Sequence, residues 1–190
     1  MSGQRVVPAR ERLLDAASRL FYAHGITATG IDAVTAEAGV AKMSLYNNFA
    51  SKDDLISAYI EARHQEWLAL HRNRAEAART PSERVLAVFD AYVDHASHAY
   101  EHGFRGCGLL NAAAELPAGA VGRDAVRRHK EQVEQILIDG LTEAGATDPA
   151  GTAEHFSFLL EGAMSRAGME ERPDRVLAAR RLAASILGRG

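Results

Sequence analysis

Gly39 constrains the fold of this chain more than any other residue, because it separates two helical patterns with almost no chain between them. Before it, Ile31, Val34 and Ala38 recur at helical spacing. After it comes a short segment with a helical pattern of its own. Glycine adopts left-handed backbone angles easily, so one helix can end here and the next begin at once. The spacing therefore predicts two helices that cross at a steep angle.

The second helix, predicted from about Ala41 to Phe49, has one apolar side only. Leu45 and Phe49 lie four residues apart and anchor that side, and the other sides carry Lys42, Met43, Ser44, Tyr46 and Asn47. A helix of nine residues is roughly 13 Å long and is narrow enough for the major groove of DNA. The pair therefore predicts a helix-turn-helix with a face that contacts DNA.

Ser51 and Asp54 predict where the following helix begins. A serine side chain can cap the N–H group three residues further on, and an acidic residue at that position is a version of the capping box. A helix is therefore expected from about Lys52. Its positive N-terminus and the Lys52 ammonium would both suit a phosphate.

Several motifs in this part of the chain keep the register of one known family. They are Gly25-Ile26-Thr27-Ala28-Thr29-Gly30-Ile31-Asp32-Ala33-Val34, Ala38-Gly39-Val40, Leu45-Tyr46, Phe49 and Ser51-Lys52-Asp53-Asp54-Leu55. Through this block, roughly residues 10 to 60, the chain resembles the TetR family of one-component bacterial transcriptional regulators. The same block also fits a capped helical corner in which Tyr46 packs and Lys42 is solvated.

The resemblance implies a double-stranded DNA operator as partner and a specific set of DNA contacts. The implied residues lie at the start of the supporting helix, on the recognition helix and just after it: Thr29, Gly30, Lys42, Met43, Ser44, Tyr46, Asn47 and Lys52. Asn47 is the residue we most expect to contact a base edge. Family members often carry an aromatic residue or histidine at the positions of Asn47 and Asn48, so the operator preference stays open.

Start and stop residues divide the chain into about nine helices, with no strand candidates. The predicted boundaries include Gly25, Gly39, Ser51, Thr80-Pro81, Gly103 to Gly108, Pro117, Gly145, Asp148-Pro149 and Pro173. The expected fold is all-α, with an N-terminal three-helix DNA-binding head in residues 1–50 and a C-terminal helical domain for effector binding and dimerisation in residues 51–190. The helix from Ser51 to about Ala78 is the expected mechanical link between them.

Composition and charge narrow the class of protein further. The chain has 190 residues, of which 47% are apolar, and its net charge is -3. Residues 1–55 carry six basic and six acidic side chains, so any attraction to DNA must come from where a few groups are placed. The single cysteine fits a reducing compartment, and no apolar run reaches membrane-spanning length. A cytoplasmic protein without membrane contact is expected.

The arginine-rich segment from Gln4 to Arg12 has two readings. It could lie along the DNA backbone or reach a minor groove, or it could be a solubilising tail.

Two late helices are the predicted dimerisation elements, near residues 123–144 and 149–167. Their apolar and small residues form stripes that allow close helix approach: Val126, Val133, Ile136, Leu137, Gly140, Leu141 and Ala144, then Phe156, Leu159, Gly162, Ala163 and Arg166. By the resemblance, the pair packs against its twin and places two heads about 34 to 36 Å apart on a palindromic site. An intramolecular core would show the same stripes.

The resemblance also implies an unknown small-molecule effector that releases a repressor from its operator. The segment from His102 to Leu116 is similar to a recurrent subgroup of the family. The expected effector-binding residues are Trp67, Phe89, Tyr92, His95, Cys107 and Asn111. Asn111 shares a helix face with apolar neighbours, and it could equally cap a loop or bond another helix.

Other chemistries are less well supported by the sequence. His95, His98 and His102 follow at spacings of three and four near Cys107, but histidines on amphipathic helices are usually surface residues, so no metal or cofactor is expected. Cys107 is also a possible oxidation sensor. The chain lacks a Gly-rich phosphate loop, a His-Glu-x-x-His motif and a nucleophile elbow, so it is not expected to be an enzyme. The alternative function is a helical ligand-binding or scaffold protein with little DNA affinity.

Overall fold

The computed structural model describes residues 7–98 and 103–188 of the chain. In these residues it contains nine helices and no strands: α1 Ala9–His24, α2 Ile31–Ala38, α3 Lys42–Tyr46, α4 Lys52–Ala77, α5 Pro81–Ser97, α6 Gly108–Glu115, α7 Val121–Glu143, α8 Pro149–Glu170 and α9 Asp174–Leu187. The predicted all-α class and the predicted helix number are confirmed.

Capping residues set the helix boundaries where the sequence predicts them. Thr80 caps α5 in a full capping box with Glu83, and Pro81 occupies the first turn. The Asp148 side chain accepts the Gly151 N–H at the start of α8. Gly39 ends α2 in the left-handed conformation, with φ 62° and ψ 39°. These local signals explain why helix positions could be predicted well.

The recognition helix α3 is shorter than predicted. It was expected to reach Phe49 but ends at Tyr46. The chain still turns helically beyond it, because the Phe49 N–H donates to the Leu45 carbonyl at 2.8 Å. The Asn48 side chain donates to the Ser44 carbonyl at 2.7 Å, and such local side-chain bonds compete with the regular helical pattern.

The helices divide into two compact units. The first contains the described residues up to Ala62 together with Leu109–Ala125, and the second contains Arg63–Gly108 and the described residues from Val126 onward. In the first unit α1, α2 and α3 pack on one another around buried side chains that include Leu13, Phe21, Val34, Leu45 and Phe49. α4 belongs in part to each unit.

The second unit is a helical bundle with its own core. α9 packs against α5 and α8, and α5 also packs against α8. Phe89 of α5 and Phe156 of α8 are fully buried and meet edge to face, with ring centroids 5.4 Å apart. None of the helices in the described ranges combines the length and apolar character needed to cross a membrane.

Candidate functional site

The recognition helix α3 presents large side chains to solvent on its outer side. Met43 is 68% exposed and Tyr46 is 46% exposed, whereas Leu45 and Phe49 are buried. Lys42 and Asn47 are also exposed, and Ser44 is half-buried. Exposed methionine and tyrosine side by side on a short polar helix are typical of a contact surface. We call Lys42, Met43, Ser44, Tyr46 and Asn47 the α3 face.

Two exposed arginines near the N-terminus contact the helix-turn-helix. The Arg10 guanidinium lies over the Phe49 ring, 5.0 Å from its centroid. Arg12 Nη1 donates to the Gly39 carbonyl at 3.4 Å. Both belong to the segment predicted either to contact DNA or to act as a solubilising tail, and the structure places them in α1, where their side chains are exposed. Arg5 of that arm lies outside the described residues.

Cations predicted to contact DNA also have partners within the chain. Lys42 Nζ lies 2.8 Å from Asp32 Oδ1, and the hydrogen bond to Asp32 raises the pKa of Lys42 above its ordinary value. Lys52 Nζ donates to the Thr27 carbonyl at 3.4 Å. Both contacts lie at the surface, where ion pairs and hydrogen bonds exchange readily with phosphate.

Thr29 and Gly30 occupy different environments although they are adjacent. Thr29 is buried, and its hydroxyl donates to the Gly25 carbonyl at 2.7 Å. A phosphate contact by Thr29 therefore has to come from its main chain. Gly30 is exposed and is the N-cap residue of α2, with open space where a side chain would point.

The start of α4 carries the predicted serine cap. Ser51 Oγ accepts the Asp54 N–H at 3.1 Å, and Asp54 Oδ2 accepts the Ala50 N–H at 3.1 Å. The acidic side chain thus reaches one residue further back than in a standard capping box. The cap fixes the turn that connects α3 to α4.

The second unit contains a buried polar cluster around Lys130 of α7. Lys130 Nζ lies 2.7 Å from Glu161 Oε1, 3.2 Å from the Tyr92 hydroxyl and 3.7 Å from Cys107 Sγ. The Trp67 ring lies beside Tyr92, with centroids 5.5 Å apart. We call Trp67, Tyr92, Cys107, Lys130 and Glu161 the Lys130 cluster.

Burial and neighbouring charges set the protonation states in this cluster. Burial raises the pKa of Tyr92 to about 12, so its hydroxyl stays neutral. Burial alone would lower the pKa of Lys130, but its neighbours Cys107, Tyr92 and Glu161 raise it, and the net change is upward. Lys130 is therefore a half-buried cation held by Glu161, with side chains that are 20% and 34% exposed.

Two polar atoms of the Lys130 cluster are buried without a hydrogen-bond partner in the described part of the chain. They are Trp67 Nε1, a donor, and Glu161 Oε2, an acceptor. Leaving such atoms unpaired is unfavourable by about 1 to 3 kcal/mol each. The cluster therefore offers one donor and one acceptor to a further polar group.

Two histidines of the second unit have lowered pKa values, and one of them, His129, packs against Trp67 of the cluster. His129 is 3% exposed, and its Nδ1 lies 2.9 Å from His64 Nδ1. Burial, assisted by the charges of Lys130 and His64, lowers the pKa of His129 to about 3. Burial, assisted by the charge of Arg63, lowers the pKa of His95 to about 4. Both imidazoles are neutral at pH 7.

The structure brings together only part of the predicted effector set. Trp67, Tyr92 and Cys107 meet in the Lys130 cluster. Phe89 instead packs in the core against Phe156, and His95 packs against Phe104 with ring centroids 6.0 Å apart. Asn111 belongs to the first compact unit.

Sequence reasoning missed Lys130, Glu161 and His129. A signal was present for Lys130, because it lies four residues after Val126 and three before Val133, on the apolar stripe of α7. In the described residues, no three His, Cys, Asp or Glu side chains lie close enough to hold a metal ion. His102, one of the three histidines noted for metal binding, lies outside those residues.

Comparison with known proteins matches both the head and the whole chain. The family model described as bacterial regulatory proteins, tetR family, matches residues 13–59. A crystal structure of a TetR-family transcriptional regulator from Streptomyces coelicolor matches with a TM-score of 0.85 and 34% identity, over 94% of this chain and 94% of that chain. Two curated relatives match more distantly. The HTH-type transcriptional repressor KstR2 of Mycobacterium tuberculosis is 30% identical over 135 residues, which are 70% of this chain and 67% of that protein. The HTH-type transcriptional activator FasR of Mycolicibacterium smegmatis is 36% identical over 90 residues, 47% of this chain and 41% of that protein.

An all-helical chain with an exposed helix-turn-helix defines a DNA-binding regulator of transcription. The chain belongs to the TetR family of bacterial transcriptional regulators. This membership confirms the predicted class, a regulator and not an enzyme.

Proposed function

We propose that the chain binds a specific operator through the α3 face and represses transcription there. The observation that carries this proposal is the exposure of Met43 and Tyr46 on a helix whose other side is buried. Such a helix can enter the major groove and present polar and methyl groups to base edges. Repression is favoured over activation because the repressor KstR2 is similar over more of the chain than the activator FasR.

A homodimer on a palindromic operator is part of the proposal. Exposed apolar side chains occur on the packed helices α8 and α9: Phe158, Met169, Leu182 and Ile186. The apolar stripe of α7, in contrast, is largely buried within the single chain, as at Val126 and Val133. We therefore assign the dimer surface to α8 with α9, in place of the predicted pair α7 and α8.

The Lys130 cluster is the proposed effector site. The unpartnered Trp67 Nε1 and Glu161 Oε2 support it, and the Trp67 and Tyr92 rings give the cluster an apolar wall beside its polar groups. A fitting effector is largely apolar and carries at least one hydrogen-bond acceptor for the Trp67 N–H. α4 carries both Trp67 and Lys52, so a ligand that moves Trp67 acts on the same helix that carries Lys52.

DNA binding is tested by recovering genomic fragments that the purified protein retains, then sequencing them. We expect a shared palindromic sequence and an affinity that falls steeply with salt. Retention of fragments without a common sequence would contradict operator recognition. Retention of no DNA would favour the alternative, a helical ligand-binding or scaffold protein.

The effector site is tested with Trp67 as an intrinsic probe, because it is the only tryptophan of the chain. Small apolar carboxylic acids and ketones are titrated while the tryptophan fluorescence is recorded. A compound that changes the fluorescence should also weaken operator binding, and operator DNA should weaken its binding by the same factor. Equal binding with and without operator would contradict coupling between the two sites.

A further inference from the structure

One long-range contact in the first unit holds the loop between α1 and α2. Glu115, the last residue of α6, accepts the Thr27 N–H on Oε2 at 2.8 Å, although the two residues are 88 positions apart. Lys52 Nζ donates to the carbonyl of the same Thr27 at 3.4 Å. Both main-chain polar groups of Thr27 are thus engaged, by side chains from two different helices.

Gly25 makes room for this carboxylate. A side chain at position 25 would place its Cβ 2.5 Å from Glu115 Oε1, closer than any real contact allows. Gly25 also has φ +89°, a conformation that other residues adopt only under strain. The loop therefore fits closely around Glu115.

The negative charge of Glu115 cannot by itself favour DNA binding. A negative charge beside a DNA-binding head repels phosphate and weakens binding to any duplex. Any favourable effect of Glu115 on DNA binding must therefore come from the loop conformation that it stabilises. The loop leads directly into α2 at Ile31, and α2 packs against α3, so a displaced loop displaces the α3 face.

We propose that Glu115 is a positioning residue for operator binding. By holding the Thr27 N–H, it fixes the loop of residues 25–30, and with it the main chain at Thr29 and Gly30 and the orientation of α2 and α3. The inference rests on the proposed role of the α3 face in operator recognition. It adds a residue of α6, remote in sequence from the helix-turn-helix, to the determinants of operator affinity.

The test separates geometry from charge with two variants. Glu115→Gln removes the charge but keeps an oxygen that can accept the Thr27 N–H. Glu115→Asp keeps the charge but is one methylene too short. The matched control is Glu143→Asp, since Glu143 is also the last residue of its helix and pairs with a distant arginine, Arg84, at 2.6 Å.

Affinities are measured for the recovered operator and for a scrambled duplex in the full-length protein. We expect Glu115→Asp to weaken operator binding roughly fivefold to tenfold, the effect of losing a charge-assisted hydrogen bond. Glu115→Gln should stay within about twofold of the wild type, and Glu143→Asp should be unchanged. Binding of the scrambled duplex should not weaken in any variant. Amide exchange at Thr27 should accelerate in Glu115→Asp only.

The opposite order, with Glu115→Asp unchanged and Glu115→Gln altered, would show a charge effect and overturn the inference. Equal losses in both variants would also overturn it. If the wild type binds no specific DNA, the proposed function is contradicted and so is the inference that rests on it. If the wild type binds its operator and Glu115→Asp binds equally well, only the inference fails.

Discussion

Lys42 begins α3 as a cation that is already paired in the free chain. Its ammonium lies 2.8 Å from Asp32 of α2, and both side chains are largely exposed. A phosphate that approaches Lys42 must therefore compete with the Asp32 carboxylate. We therefore expect the Asp32 carboxylate to lower the affinity for DNA.

The direction in which DNA affinity changes when the Asp32 charge is removed can be predicted. Asp32→Asn should tighten binding to both operator and scrambled DNA by about twofold to fivefold, whereas Lys42→Ala should weaken both and reduce the salt slope by about one. Fluorescence anisotropy at two salt concentrations measures both effects. Glu131→Gln on α7, which removes an exposed charge paired with Arg127, is the control. Weaker binding by Asp32→Asn would contradict this account of Lys42.

His129 makes stability depend on pH. Its pKa is about 3 in the folded chain against 6.5 for an ordinary histidine, so between these values the unfolded chain binds more protons. Stability therefore falls as pH falls below about 6.5, by up to about 2 kcal/mol at pH 5 for this residue alone.

Urea unfolding at pH 7 and pH 5 checks this prediction. His129→Gln should lower stability at both pH values but reduce the difference between them, since glutamine does not titrate. His155→Gln, at an exposed position of α8, should leave the difference unchanged. An equal pH dependence in wild type and His129→Gln would contradict the assignment.

At the scale of helices, the sequence predicts where helices begin and end, but it does not predict which charged side chains pack against other helices. Proline, serine, threonine and glycine act within one turn, so the starts of α5 and α8 and the end of α2 could be predicted from a few residues. Lys130 lies on the apolar stripe of α7 but in a strongly charged segment, and its ion pair with Glu161 of α8 depends on packing that the sequence does not show. The Glu115 contact escaped prediction for the same reason.

The Lys130–Glu161 pair joins α7 to α8, and removing only one of the two charges should lower the free energy of unfolding. Glu161→Gln leaves the half-buried Lys130 cation without its counter-charge, so the free energy of unfolding should fall by about 1 to 3 kcal/mol. The double change Lys130→Met with Glu161→Gln should lose less, because no charge stays unpaired.

Chemical denaturation of the two variants measures the difference. The exposed pair of Arg127 and Glu131 provides the control, and Glu131→Gln should change stability by less than about 0.5 kcal/mol. A double variant less stable than Glu161→Gln would show that the Lys130 ammonium stabilises the bundle through Tyr92 and Cys107 even without Glu161.

At the scale of the molecule, we expect few groups to contact DNA, so a dimer is needed to double them. Residues 1–55 carry six basic and six acidic side chains, so one copy of the α3 face should offer limited affinity. Two copies joined through α8 and α9 would present two faces to a palindrome at once. Dimerisation and operator affinity should therefore fail together.

Phe158→Glu tests this dependence, because Phe158 is 69% exposed on α8. Sedimentation velocity should show a monomer of 20.5 kDa in place of the dimer, and operator affinity should fall at least tenfold. Val121→Glu is the matched control, since Val121 is 72% exposed at the start of α7. A Phe158→Glu protein that stays dimeric would place the interface elsewhere.

The central claim, operator reading by the α3 face, is tested most directly by the ratio of affinities for the recovered operator and a scrambled duplex. The wild type should prefer its operator by about a thousandfold or more. A triple variant, Met43→Ala, Tyr46→Ala and Asn47→Ala, should keep its fold and its salt-dependent binding while the ratio falls toward one. A folded triple variant that retains the wild-type ratio would contradict the claim.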